Sequence, residues 1–470
     1  MEEKNEKNNA VKELKEKLFL KRKNGYKRIN SDEEKAVMAF AEDYKKFLDT
    51  AKTEREAVAE ALTAIRAKGF VEYKKGMKLS PGDKIYRNNR GKALVMAVIG
   101  TAPIDEGVRL CAAHIDSPRL DLKQNPLYED NEMALFKTHY YGGIKKYQWT
   151  TMPMSLHGVI IKADGTSVSV NIGENENDPV FCVTDLLPHL ANEQMSRTAT
   201  KLIRGEDLNL LIGSMPFRDD DSSEAVKLNI LNILFEKYGI TEADFISSEL
   251  EAVPAFKARD IGFDRSLIGG YGHDDRCCAY PALRATLECE APVHTAVTVL
   301  TDKEETGSDG NTGLCSSYLK YFIEDIAKDL GSEGRDVLSA SECLSADVNA
   351  AFDPTFPEVN ERNNAAYINK GVCITKYTGA RGKSGTSDAS AEFAGRIRRL
   401  MNEKEVIWQT GELGKVDEGG GGTVAAYIAN LDVDTIDMGV PVLSMHGPFE
   451  VISKLDLYMA YKAFAVFIAD

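Results

Sequence analysis

Apolar positions Val37, Phe40, Ala41, Tyr44, Phe47 and Leu48 recur at helical spacing, and residues 31–69 read as two amphipathic helices. Ser31 with Glu34 and Thr53 with Glu56 stand at capping-box spacing, and Gly69 supplies a stop. Runs rich in Val, Leu and Ile at about 93–99 and 108–114 predict strands. The texture changes between about 124 and 254. There the apolar runs 159–161 and 168–170 flank an Asp-Gly turn, which predicts a β-hairpin, and a polar tract at 173–179 predicts a loop. Ala225, Val226, Leu228, Leu231, Leu234 and Phe235 predict a helix over about 223–238 that ends near Gly239. From 255 onward strand and helix alternate, with apolar runs at 295–300, 342–346 and 435–440.

Chemistry follows these runs. His114 and Asp116 lie two apart at the end of the run 108–114 and, as i and i+2 of a strand, are expected to share one face, so that Asp116 can hydrogen-bond the imidazole and fix its metal-binding tautomer. Asp274 and Asp275 precede a predicted helix from 276 to about 288, and one of them could give its two oxygens to two metals. Glu304 and Glu305 follow the run 295–300; of two adjacent carboxylates pointing differently, one can ligate and the other can move a proton. Asp347 follows 342–346, and His446 follows 435–440. Taken singly, these residues read as a structural histidine, a helix cap, a solvated turn and an Asx turn. All five in this order, four of them beyond an apolar run, read as a two-metal hydrolytic centre at the carboxyl ends of strands in an α/β sheet. Carboxylate and imidazole donors without thiolate suit Zn²⁺, with Co²⁺ or Mn²⁺ as alternatives. None of the five motifs falls within 124–254. That region is expected to be an insertion into a catalytic domain formed by 1–123 and 255–470.

Composition narrows the partners. The 470 residues carry a net charge of -15, which argues against nucleic acid and anionic membranes. The charged N-terminal decapeptide lacks the apolar core of a secretory signal, and no stretch of about 18 apolar residues could span a bilayer. Eight cysteines without a C-x-x-C pair fit a reduced, cytoplasmic compartment. The segment Gly379-Ala-Arg-Gly-Lys-Ser384 ends like a phosphate loop, but Tyr377 stands where that pattern requires glycine. The glycine run 419–422 permits close backbone approach and is a candidate wall of a substrate cleft.

The ordered set His114-Ile-Asp-Ser-Pro118, Asp274-Asp275, Glu304-Glu305, Ser345-Ala-Asp347 and Met445-His446 resembles the aspartyl aminopeptidase family of dizinc metallopeptidases, in particular its bacterial branch. The resemblance covers nearly the whole chain. It implies a mixed-sheet, three-layer α/β catalytic domain interrupted by a β-rich dimerisation domain, homododecamers built from dimers, and peptide substrates trimmed from the N-terminus. It implies two Zn²⁺ per subunit, with Asp274 bridging, Glu305 and His446 completing one metal, His114 and Asp347 the other, Glu304 as general base and Asp116 orienting His114. His189 resembles a family histidine that reaches a neighbouring subunit's active site and donates to the tetrahedral oxyanion. Two segments depart from the pattern. An arginine often found shortly after the final histidine is absent from His446-Gly-Pro-Phe-Glu450, and the basic segment associated with acidic substrates reads Arg381-Gly-Lys-Ser-Gly-Thr386. Arg381 or Lys383 could still meet an acidic side chain. A dimetal deacylase or dipeptidase would use the same ligands, and a non-catalytic assembly protein could retain the fold.

Overall fold

The structure, a computed structural model, describes residues 2–218 and 223–470. Its centre is a nine-stranded mixed sheet. Thr295–Thr301, Val108–His114, Glu342–Ser345 and Asp434–Gly439 lie side by side and parallel, in that order. All seven residues of Val108–His114 are buried, as expected of a strand covered on both faces.

The two-residue period sorts its side chains. Val108, Leu110 and Ala112 enter one core with Phe322, Ile326 and Val337, whereas Cys111 and Ala113 enter the other with Leu283 and Phe464. Helices Tyr318–Asp329 and Gly334–Ser339 cover the first face. Ser31–Thr50, Glu54–Ala67, His273–Glu288 and Lys454–Ala469 cover the second, which gives three layers.

Two caps show how local chemistry sets these helices. Thr53 and Glu56 form the expected reciprocal box. The first helix is instead capped by Asn30, whose side-chain oxygen accepts from the amides of Asp32 and Glu33, so Ser31 is already helical.

A second sheet of seven antiparallel strands is drawn from residues between Arg119 and Pro254. Its opening strand, Arg119–Asp130, runs through position 124. The expected hairpin pairs Met154–Ile161 with Ser167–Ile172. This sheet has its own core, including Leu120, Trp149, Leu210 and Phe245. The helix Ala225–Tyr238 closes on Gly239 at φ 65°, the left-handed cap its sequence predicts, and leaves Leu228, Ile233 and Phe235 exposed. A third, five-stranded sheet carries Pro441–Leu443 and Glu450–Ser453, which flank His446. Among the described residues no helix is long and apolar enough to cross a membrane.

Candidate metal centre

The carboxyl ends of the four parallel strands converge on one spot. His114 is the last residue of its strand, Glu304 and Glu305 form a short 3-10 turn after Thr301, and Asp347 follows Ser345. His446 arrives from beyond Gly439 by way of Pro441–Leu443. Gly439 faces Asp347 closely: a Cβ there would stand 1.8 Å from the Asp347 carbonyl oxygen, so a larger residue would displace that acid. Asp274 comes from the first turn of His273–Glu288, where Asp274 and Asp275 leave helical geometry and turn their carboxylates inward.

Asp274 lies between two imidazoles. One of its carboxylate oxygens is 3.1 Å from His114 Nε2 and the other is 3.3 Å from His446 Nε2. Two triples of potential ligands meet around it: His114, Asp275 and Asp347 on one side, and Asp274, Glu305 and His446 on the other. His446 Nε2 is 3.6 Å from Glu305, and His114 Nε2 is 3.8 Å from Glu304 and 3.9 Å from Asp347. One Asp275 oxygen is already occupied, accepting the backbone N–H of His114 at 3.2 Å.

Asp116 does something the strand periodicity did not foresee. The strand ends at His114, so the two residues do not share a pleated face. The nearest acceptor for His114 Nδ1 is the Asp116 backbone carbonyl at 3.1 Å, with the carboxylate at 3.4 Å. That carboxylate is fully buried and also accepts from the amides of Glu304 at 3.1 Å and Glu305 at 3.2 Å, and from the Tyr141 hydroxyl at 2.7 Å. Asp116 thus ties the histidine strand to the glutamate pair.

Three further groups, none singled out from the sequence, complete the surround. Glu450 accepts the amides of Asp274 at 3.0 Å and His446 at 2.8 Å, and so fixes the backbone beneath two candidate ligands. The Gly143 carbonyl accepts from His446 Nδ1 at 2.8 Å, leaving Nε2 toward Asp274. A Cβ on Gly142 would stand 3.0 Å from a Glu305 carboxylate oxygen, so a larger residue there would crowd that acid. Tyr141 and the two glycines all follow from the end of strand Met133–Tyr141 of the seven-stranded sheet.

The electrostatics explain why such a cluster needs cations. Burial, then the charge of Asp274, pushes Glu305 well above the usual carboxylate range; burial and Glu304 do the same to Asp347. Glu304 is pushed up to about 7 by burial, partly relieved by His114, and Glu450 to about 8 by burial and Asp274. Burial would also raise Asp274, but His114 and His446 hold it well below its ordinary value. Burial alone would lower His446, yet Asp274 and Glu305 raise it to about 10. Two imidazoles cannot neutralise so many buried acids. Buried oxygens of Glu305, Asp347 and Asp275 also lack any hydrogen-bond partner. A hard-donor set with orphaned carboxylate oxygens fits divalent metal.

The Aminopeptidase I zinc metalloprotease (M18) family matches residues 47–468. The chain belongs to the M18 aminopeptidase family. It is 50% identical over 459 residues to a protein of Clostridium acetobutylicum named "Probable M18 family aminopeptidase 1", covering 96% of this chain and 99% of that one. The crystal structure of an M18 aminopeptidase from Thermotoga maritima superposes with a TM-score of 0.92 at 45% identity, covering 96% of this chain and 99% of the other. That of aminopeptidase I from C. acetobutylicum gives 0.90 at 47% identity, covering 96% and 100%. The protein is a metal-dependent aminopeptidase of the zinc M18 family.

The remaining residues picked from the M18 resemblance lie apart from the cluster. His189 is exposed on the 3-10 turn Pro188–Leu190, and among the described residues no hydrogen bond or ion pair joins it to the centre of its own chain. Arg381 and Lys383 line a cavity of about 230 Å³ with Tyr377, Glu412 and Gly420. Lys383 is held there by Asp388 at 2.7 Å and lies 3.8 Å from the centroid of the Tyr377 ring. The glycine run meets the same segment: a Cβ on Gly420 would lie 2.7 Å from Ala380 backbone atoms.

Proposed function

We propose that this M18 enzyme removes N-terminal residues from peptides at a two-zinc centre in which Asp274 bridges. One metal would be held by His114 and Asp347 and the other by Glu305 and His446. The observation carrying this reading is the position of Asp274, with one oxygen toward each histidine. Bound zinc would supply Lewis acidity, polarising the scissile carbonyl and lowering the pKa of water.

The chain's own groups do the rest. Glu304, with its backbone amide fixed by Asp116, takes the proton from the attacking water and returns it to the departing amine. Asp116 and the Gly143 carbonyl keep the two imidazoles oriented with Nε2 inward. His189, on an exposed turn, is assigned to the oxyanion of a neighbouring subunit, where a donor is worth about 3 kcal/mol of barrier.

Assembly supports that assignment. The region 124–254 is proposed as the dimerisation domain of a discontinuous catalytic domain, 1–123 and 255–470. Its helix Ala225–Tyr238 exposes Leu228, Ile233 and Phe235, surface suited to a second copy. A Saccharomyces cerevisiae homologue of the same fold, 20% identical with a TM-score of 0.74, is described as a dodecamer, and we assign a homododecamer built from dimers to this chain. Eight free cysteines suit the cytoplasm. Preference for acidic N-terminal residues rests on Arg381, since Lys383 is already paired with Asp388.

Hydrolysis of a panel of amino-acid arylamides against N-acyl amino acids, at defined zinc content, tests the reading. Arylamides should be cleaved, with Glu and Asp favoured. Cleavage of the acyl compounds alone would make the protein a deacylase.

A further inference from the structure

A cavity of about 520 Å³ remote in sequence from the metal motifs is lined by Lys21, Arg22, Lys23, Arg28, Lys370 and Arg398. No aspartate or glutamate lines it, although the chain carries 73 acidic and 58 basic residues. Lys21 has a carboxylate partner, Glu16 at 3.5 Å. Among the described residues the other five cations have none within ion-pair distance. Six like charges around one hollow repel each other, and the assigned peptidase chemistry does not use them.

Part of this wall is already organised. The Arg22 guanidinium donates to the carbonyls of Ala365 at 3.2 Å and Asn363 at 2.9 Å, and to the Thr410 hydroxyl at 3.3 Å. Lys370 Nζ donates to the Arg22 carbonyl at 2.9 Å, which pins the segment that carries three of the cations. Trp408, whose indole N–H is taken by Asn402 at 3.0 Å, adds an aromatic wall. The volume is within the range of small-molecule sites and exceeds what a single phosphate fills. Arginine forks and lysine ammoniums together suit clustered phosphate oxygens.

We propose that this cavity binds a compact oligophosphate, either inorganic or carried by a nucleotide. Calorimetric titration of the assembled enzyme with inorganic triphosphate, ATP and orthophosphate, at low and at moderate salt, tests it. Triphosphate should bind and weaken with salt, and orthophosphate should bind far more weakly. Tighter binding of ATP than of triphosphate would identify a nucleotide as the source; equal binding would identify the phosphate chain alone. Arg28→Glu combined with Arg398→Glu, both exposed and outside the catalytic machinery, should weaken triphosphate by about tenfold or more. Lys23→Gln should weaken it less, which guards against misfolding of the double variant. Absence of triphosphate binding, or binding unchanged in both variants, would overturn the proposal. So would tighter binding of an oligoglutamate peptide than of triphosphate, since the occupant would then be an acidic peptide.

Discussion

The Tyr141 hydroxyl donates to the Asp116 carboxylate at 2.7 Å, joining the seven-stranded sheet to the acid beneath the glutamate pair. The Tyr141 ring also lies 3.9 Å from the guanidinium carbon of Arg119, itself buried among Glu54, Asp121 and Glu251. Tyr141→Phe keeps that packing and removes only the hydroxyl. A hydrogen bond to a charged group is worth about 1.5–3 kcal/mol, so kcat should fall by about tenfold or more while KM changes little. Unchanged kcat would mean that the two backbone amides alone suffice to hold Asp116.

Glu304→Gln should retain the zinc content of the parent enzyme while hydrolysis falls by about 10²–10⁴-fold, the usual share of a positioned base. Glu305→Gln should instead lose metal. The reverse pattern of metal loss would exchange the roles of the two glutamates.

These residues show what was legible in the chain and what was not. His114, Glu304, Glu305, Asp347 and His446 were readable because each follows an apolar run, and neighbouring parallel strands bring such positions to one edge. The helices Ser31–Thr50 and Glu54–Ala67 and the strands Ala93–Val98 and Val108–His114 followed from periodicity. The further contacts of the Asp116 carboxylate were not legible, because they depend on where the strand stops and on amides almost 190 positions away in sequence. Tyr141, Gly143 and Glu450 were not found at all. Their roles arise from contacts between different sheets, which no local spacing encodes, although an acid four residues beyond His446 was a weak signal for Glu450.

Action of His189 across subunits predicts complementation. His189→Ala and Glu304→Gln chains should each be nearly inactive alone. Oligomers reassembled from a mixture should regain activity, because some sites would combine an intact Glu304 with an intact His189 from a neighbour. A mixture no more active than its components would place His189 outside the reaction or within its own subunit's site.

His157 supplies a pH-dependent tie between the seven-stranded sheet and the N-terminal helices. It meets Glu56 at 2.7 Å and Glu174 at 3.1 Å, and Glu174 also binds Lys52 at 2.7 Å. Burial would lower its pKa, but Glu174 and Glu56 raise it above the ordinary value. The raised folded value means that the stabilisation is complete below about pH 6.5 and is lost as pH rises through the folded pKa. His157→Gln should therefore lower Tm more at about pH 6.5 than at about pH 9, with a cost of about 1.5–3 kcal/mol on the acid side. An equal deficit at both pH values would show that the imidazole stays neutral throughout.

In the proposed centre Asp274 would serve both ions. Anomalous diffraction at the zinc edge from zinc-loaded crystals, paired with metal analysis of Asp274→Ala and His446→Ala, tests it directly. Two peaks per chain are expected, one on each side of the Asp274 carboxylate, with both sites emptied in Asp274→Ala and chiefly one weakened in His446→Ala. A single peak, or an Asp274→Ala protein that keeps both ions, would contradict it.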